Sequence, residues 1–376
     1  MRQKVIVFYI KAGGGHQSTA NSIIKQISLA YPDSHTKCVD IAHNNPLWQQ
    51  KLIIDIYNWL IEDGKYLWLL LNVITKSPLG AQLFLWLPKF FAENSRFSQT
   101  LEEEIIDFRP DLIVSCYYFV AGSAKKICDR HRIQSEIVTV VSDIFSAHPI
   151  WFTSKDTKYL VFSKAIFDQA INYINKDLVT QFGYFFNSRF EAPLSNNKIC
   201  EIKAELELDI SLKTVLILSG GNGLLNADRV LVELINTNLT NFQIIFVAGR
   251  NQELYNKCQA IINNQRSSKI KLFGFCDNVY ELMNIADVII GKAGPATVLE
   301  AVALHKPLFL SHYIWEQEKG NVDWVVNNNY GIYEPQPKKL AELVTNYFDS
   351  AKSPNVFKQT NLKSSSTAAI EHLIEG

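Results

Sequence analysis

The sequence predicts an α/β protein built from two doubly wound domains in tandem. Three observations carry that expectation. Apolar, β-branched runs alternate with helical stretches, the alternation restarts after a polar break near residue 196, and three of the runs end in small-residue turns that open helices. A chain of 376 residues is long enough to bury two such interiors.

The first series comprises VIVFYI at 5–10, DLIVSCY at 111–117, EIVTVVSD at 136–143 and YLVF at 159–162. Each is short and apolar, as strands covered on both faces are. The polar stretch EAPLSNNK at 191–198 then reads as a linker. The second series is TVLILSG at 214–220, FQIIFVAG at 242–249, IKLFGF at 270–275, DVIIGK at 287–292 and PLFLSHY at 307–313. The tail SSSTAAIEHLIEG suits a closing helix. With a boundary near Asn196, the chain divides into an N-terminal domain over 1–195, a C-terminal domain over 196–355 and a closing segment over 356–376. Folds of this class hold ligands outside the carboxyl ends of their strands, which predicts a cleft shared by the two sheets.

Composition excludes several partners. Lys plus Arg equals Asp plus Glu at 37 each, so no overall field favours nucleic acid. The six cysteines (Cys38, Cys116, Cys128, Cys200, Cys258 and Cys276) form no C-x-x-C pair and have no histidine at ligand spacing, which argues for reduced thiols and against a metal centre. The opening MRQKVIVFYIKAGGGH reads as a first strand entering a turn, so a secretory leader is not expected. The longest purely apolar run lies within 66–71, far short of the roughly 20 residues that a spanning helix needs.

The turns are KAGGGHQSTANSII at 11–24, SGGNGLLNADRVL at 219–231 and GKAGPATVLEAVAL at 291–304. A helix N-terminus reached through small residues presents free backbone N–H groups and the positive end of its dipole, which suits a phosphate. A single glycine turn after a strand also serves simply to reverse the chain. Three at equivalent places favour ligand binding. The first lacks the G-x-G-x-x-G spacing of a dinucleotide site and the second lacks a Lys-Ser/Thr ending, so neither NAD nor ATP is favoured. Glu300 falls one helical turn beyond Ala296 and Thr297, where a carboxylate can meet ribose hydroxyls, although the same spacing suits a solvated helix glutamate.

At these residues the chain resembles glycosyltransferase family 28, specifically the monogalactosyldiacylglycerol synthases and the processive diacylglycerol glucosyltransferases. The resemblance is carried by GGGHQSTANSI, SDIFSAHPIWF at 142–152, SGGNG at 219–223, AGRN at 248–251 and LFGFCDNVYELMNIADVIIGKAGPATVLEA followed by QEKGNVDWVV. It implies a GT-B fold, a UDP-hexose donor, a diacylglycerol-type lipid acceptor and inversion at the anomeric carbon with neither a metal nor another cofactor. By motif position it places the uracil at Phe275 and the ribose at Glu300. The diphosphate falls on the turn formed by Gly294, Pro295, Ala296 and Thr297, with help from Arg250 and from Gly221, Asn222 and Gly223, and Val298 and Leu299 are expected in the same donor site. Gln317, Glu318 and Asn321 fall at the hexose, and Gly14 and Gly15 beside the acceptor. Ile314, Trp315 and Glu316 stand where galactosyl members carry small residues, which leaves glucose and galactose both open.

The reaction so implied needs a base for the acceptor hydroxyl and a cradle for the leaving diphosphate. His16 is the base expected, because an imidazole titrates near neutral pH and sits at a glycine turn; a helix cap or a substrate contact would use the same residue. Asp143 is expected to orient it or to share the proton. Two other readings stay open: a UDP-N-acetylglucosamine 2-epimerase-like enzyme and a non-catalytic sugar-nucleotide sensor. The segment at 46–91 favours the lipid reading, since it holds Trp48, Trp59, Trp68 and Trp86, four of the seven tryptophans. Leu52, Ile56 and Leu60 recur at helical spacing, so the stripe suits either core packing or, with Lys51, Lys65, Lys76 and Lys89 at its flanks, a peripheral contact with the cytoplasmic membrane face. Trp151 is expected to line the inner end of a lipid path from Trp59, Trp68 and Trp86. No motif fixes the oligomeric state.

Overall fold

In a computed structural model, residues 3–10, 15–42, 96–220, 226–237, 241–265, 269–314, 317–349 and 357–376 are described. The chain divides into two compact units, one of Met1–Phe185 with Trp315–Gly320 and Ser364–Gly376, the other of Phe186–Ile314 with Asn321–Lys363. The division therefore falls earlier than Asn196, and the closing helix packs as part of the first unit. Helix formation begins inside the stretch read as a linker, because Ser195 caps the helix Asn196–Glu205 by accepting from the Lys198 N–H.

The first unit holds a parallel sheet of β1 (Lys4–Tyr9), β2 (His35–Asp40), β3 (Leu112–Ser115), β4 (Glu136–Val140), β5 (Lys158–Val161) and β6 (Val179–Gln181), in the order β2-β1-β3-β4-β5-β6. The helices around it are α1 (Gly15–Ala30), α2 (Arg96–Phe108), α3 (Val120–His131), α4 (Lys164–Ala170) and the last helix of the chain, Ser366–Glu375. Both faces of the sheet are covered. Val5 and Val7 of β1 pack with Ala20, Ile23 and Ile27 of α1 and with Ile370 and Leu373 of the last helix. The intervening Ile6 and Phe8 pack on the other face with Leu101 and Ile105 of α2 and Ala121 and Ala124 of α3. Alternate side chains of a strand point to opposite faces, so burial on both sides is what makes the sequence of β1 read as an unbroken apolar run. Each such side chain contributes roughly 1.5–3 kcal/mol when fully buried.

The second unit has the strands β7 (Lys213–Leu218), β8 (Phe242–Val247), β9 (Ile270–Phe273), β10 (Val288–Lys292), β11 (Leu308–His312) and β12 (Gly331–Tyr333), in the order β12-β11-β10-β7-β8-β9. Its helices are α5 (Asn196–Glu205), α6 (Ala227–Asn236), α7 (Gln252–Gln265), α8 (Val279–Ile285), α9 (Pro295–Ala303), α10 (Lys319–Asn327) and α11 (Pro337–Phe348).

Three strands were not anticipated from the sequence: β2, β6 and β12. All three are sheet edges. An edge strand pairs on one side only and is partly solvated, so it needs no continuous apolar run; in β2, HTKCVD, only Val39 is buried.

Strand order reverses between β1 and β3 in the first sheet and between β7 and β10 in the second, and ligands of doubly wound folds gather outside the strand ends at such points. Among the described residues no helix is long and apolar enough to cross a membrane.

Candidate active site and phosphate turn

In the first unit, the switch point gathers one cluster from three strand ends and a short turn. β1 leads to α1, whose second residue is His16. β3 continues its pairing for one more residue through the Cys116 N–H bond to the Phe8 carbonyl (2.9 Å), and the Ser115 hydroxyl then donates to the Tyr117 carbonyl (2.6 Å), fixing the bend that ends the strand. β4 runs on to Ser142 and Asp143. A short 3₁₀ turn, Pro149–Phe152, opened by the His148 ring accepting from the Ile150 N–H (3.2 Å), supplies Trp151.

His16 Nδ1 lies 3.3 Å from the Ser142 hydroxyl. Its ring meets Tyr117 edge to face with centroids 5.0 Å apart and lies 5.7 Å from Trp151 at a tilt of 50°. Part of the residue still reaches solvent, but protein surrounds the ring. Burial pushes its pKa down to about 4, against an opposing hydrogen bond to the Cys116 carbonyl that favours the protonated ring. His16 therefore does not titrate near neutral pH as expected: the imidazole is neutral at physiological pH and, though a weaker base than an ordinary histidine, able to accept a proton.

Asp143 is only 7 % exposed. Its Oδ2 accepts from the Trp151 indole N–H at 2.7 Å and its Oδ1 from the Gln317 amide at 3.3 Å. A carboxylate committed on both oxygens is suited to bracing its neighbours rather than to carrying the proton. Trp151 is 3 % exposed with its polar atom bound to Asp143, so it forms an inner wall against His16 and Tyr118 rather than a surface for lipid.

The QEKG stretch packs on the loop after β4. Ser146 donates to the Gln317 carbonyl (3.1 Å), Glu318 is 4 % exposed, and Gly320 lies so close to Phe145 that a Cβ added there would stand 2.8 Å from its carbonyl carbon. The Gln317 amide is shared with Asp143, and the Glu318 side chain is buried.

In the second unit, β10 leads through Ala293 to Gly294, the N-cap of α9, with Pro295 as its first helical residue. Ala296 and Thr297 precede the first helical bond, from the Val298 N–H to the Gly294 carbonyl (3.0 Å), so the helix itself leaves their N–H groups without partners. Asn321 holds this turn from behind. It is 2 % exposed and its amide donates to the Ala293 carbonyl at 2.8 Å, while its Oδ1 is buried without a partner among the described residues. Val298 and Leu299, expected at the donor, have fully buried side chains and serve the core instead, because the inward face of α9 covers the sheet. The Arg250 guanidinium, after β8, stacks 4.0 Å over the ring of Phe275, after β9. Phe275 is 53 % exposed, unusual for an aromatic side chain and open to a ligand. Burial pushes the Glu300 carboxyl up to about 8.

Gly14, Trp59, Trp68, Trp86, Gly221, Asn222 and Gly223 lie outside the described residues. Gly15 is described, and the space where its side chain would stand is open. Tyr117, Tyr118 and Ser142 were not singled out from the sequence. The available signal was SCYYF, a small and aromatic run immediately after a strand. Among the described residues no three of the His, Cys, Asp and Glu side chains are grouped to hold a metal ion.

Residues 16–184 match the family model of monogalactosyldiacylglycerol (MGDG) synthase, and residues 214–373 match the glycosyltransferase family 28 C-terminal domain. Similar curated proteins include the probable chloroplastic MGDG synthase of Nicotiana tabacum, 26% identical over 356 residues, and the chloroplastic MGDG synthase 1 of Arabidopsis thaliana, 25% identical over 383 residues. The alignments cover 92% and 99% of this chain but 64% and 70% of those proteins, so the chain spans about two thirds of their length. Among solved structures, Anabaena HepE in complex with UDP-glucose is similar with a TM-score of 0.56 at 14% identity, over 100% of this chain and 96% of that one. The Staphylococcus aureus MnaA–UDP structure gives 0.61 at 12% identity over 100% and 95%. At these identities the structural likeness establishes the two-domain GT-B architecture.

Proposed function

We propose that this chain, a family 28 glycosyltransferase of MGDG synthase type by the match of both its halves, transfers a hexose from a UDP-sugar to the hydroxyl of diacylglycerol or a related membrane lipid. The observation that carries the reading is His16: a neutral, enclosed imidazole on the helix that opens the segment matching the synthase family. Transfer to an alcohol needs a base of this kind. In the proposed reaction His16 takes the hydroxyl proton while the acceptor oxygen attacks the anomeric carbon. The bond to the diphosphate breaks on the opposite face, so configuration inverts. The Cys116 carbonyl and the Ser142 hydroxyl steady the imidazolium so formed. The diphosphate's growing charge is met by the N–H groups of Ala296 and Thr297 and by Arg250, and preorganised donors of this sort typically contribute about 3–4 kcal/mol each. Phe275 takes the uracil and Glu300 the ribose. This route calls on no metal and no resident cofactor, and a lipid acceptor fits a peripheral position on a membrane surface, which our reading takes to be the cytoplasmic face.

The 2-epimerase reading shares the GT-B fold with solved epimerases, but it rests on fold alone. Incubation with labelled UDP-glucose and UDP-galactose over vesicles with and without diacylglycerol tests the proposal. Label in a lipid product that requires diacylglycerol is expected. UDP release that ignores diacylglycerol and leaves no labelled lipid would overturn it.

A further inference from the structure

We propose that Tyr117 is a positioning residue that sets the orientation and the dryness of His16. The inference rests on the reading of His16 as the base, and it concerns a residue for which neither the motifs nor the proposed reaction supplies a role.

The geometry around His16 is unusually aromatic. Tyr117 stands 5.0 Å away at an interplanar angle of 81°, Trp151 completes the other side at 5.7 Å, and Tyr118 packs on both, 4.3 Å from Tyr117 and 6.2 Å from Trp151. Tyr117 is held firmly at its own end. Ser115, fully buried, donates to its carbonyl and lies 3.4 Å from its N–H, and its hydroxyl donates to that of Tyr118 at 3.1 Å. A ring so anchored can define where its neighbour sits.

The groups that face His16 can be named element by element. The end of β3 supplies the Cys116 carbonyl and thiol and the two tyrosines, the end of β4 supplies Ser142 and Asp143, and the 3₁₀ turn supplies Trp151. Burial raises the thiol of Cys116 and the phenol of Tyr118 well above their ordinary values, so both stay neutral. Asp143 is turned to Trp151 and Gln317. Among the described residues, what is left to act on His16 is desolvation against one carbonyl, and the aromatic ring nearest to it is that of Tyr117. Removing that ring admits water, which favours the charged imidazolium. The acid limb of the pH profile then moves up.

The test is NMR titration of His16, identified as the imidazole resonance missing in His16→Gln, together with the pH dependence of kcat in Tyr117→Phe and Tyr117→Ala. The wild type is expected to titrate near 4, and Tyr117→Phe, which keeps the ring, to do the same. Tyr117→Ala should titrate about one to two units higher, toward the ordinary histidine value, and lose roughly 1.3- to 4-fold of its neutral-pH activity by about pH 5.5, where the wild type loses almost none. A purely structural role would lower kcat without moving the midpoint. An unmoved midpoint in Tyr117→Ala therefore overturns the proposal. If that variant does not fold, Tyr117→Leu takes its place: a rise of about half a unit supports the assignment, and none overturns it. Should His16→Gln retain wild-type turnover, the base reading falls while the NMR midpoint still reports on the enclosure.

Discussion

The indole N–H of Trp151 donates to Asp143 Oδ2 at 2.7 Å, in a setting where both residues are almost wholly buried. The other carboxylate oxygen is engaged by Gln317, 174 residues further along the chain. Asp143 thus ties the wall behind His16 to the QEKG stretch, and each of these two partners presents a donor. Replacing it by asparagine turns one acceptor into a donor that faces another donor. Asp143→Asn and Trp151→Phe are each expected to cost roughly 1–3 kcal/mol of stability, the usual range for a buried polar group left without its partner. Because both break the same bond, a double-mutant cycle by urea denaturation should show coupling of at least about 0.5 kcal/mol. Strict additivity would mean that the bond contributes nothing.

His16→Ala is expected to lower turnover by roughly two to four orders of magnitude with little change in UDP affinity, as loss of a general base does. Steady-state kinetics beside calorimetric UDP binding separates the two. Turnover above about a tenth of wild type excludes the base role.

Glu300 predicts a pH dependence of a definite sign. Its pKa rises on folding from 4.5 to about 8, so the unfolded chain gives up this proton more readily and the contribution of Glu300 to stability declines as pH rises through that window. Thermal melting between about pH 5 and 8 should therefore fall less steeply in Glu300→Gln than in the wild type. Glu300→Ala should also weaken UDP binding by roughly 1–3 kcal/mol, since the ribose hydroxyls lose a partner in a dry site. Unchanged calorimetric affinity would remove Glu300 from the nucleotide site.

Gly320 is required by space. A methyl group there would stand 2.8 Å from the carbonyl carbon of Phe145, inside contact distance to backbone that has little freedom to give. Gly320→Ala is expected to cost about 1–3 kcal/mol in denaturant titration, as overpacking does, and to raise KM for the UDP-sugar through displacement of Gln317. A variant with wild-type stability would show that this loop adjusts freely.

The aromatic segment at 46–91 lies outside the described residues, and its expected membrane role is open to a direct assay. Replacing Trp59, Trp68 and Trp86 with serine should weaken sedimentation with diacylglycerol vesicles while soluble UDP binding persists. A folded variant that sediments like the wild type would assign the segment to the core.

Periodicity and turn chemistry were enough to read nine of the strands, the two βα series, and the turns that carry His16 and Gly294, because those signals are local: burial on both faces leaves an apolar run, and a strand that feeds a helix needs small residues at the bend. Edge strands such as β2 escaped notice because one solvated side relieves them of that signature. The division at Phe186, the assignment of the closing helix to the first unit, the enclosure of His16 by Tyr117 and Trp151, and the embrace of Asp143 by Trp151 and Gln317 were decided only in three dimensions. The physical reason is the range of the interaction. A residue's own neighbours record whether it is buried, but nothing within a few positions of Asp143 records that its second oxygen will be met by an amide 174 residues away; that pairing exists only once the sheet has brought its strand ends to one place.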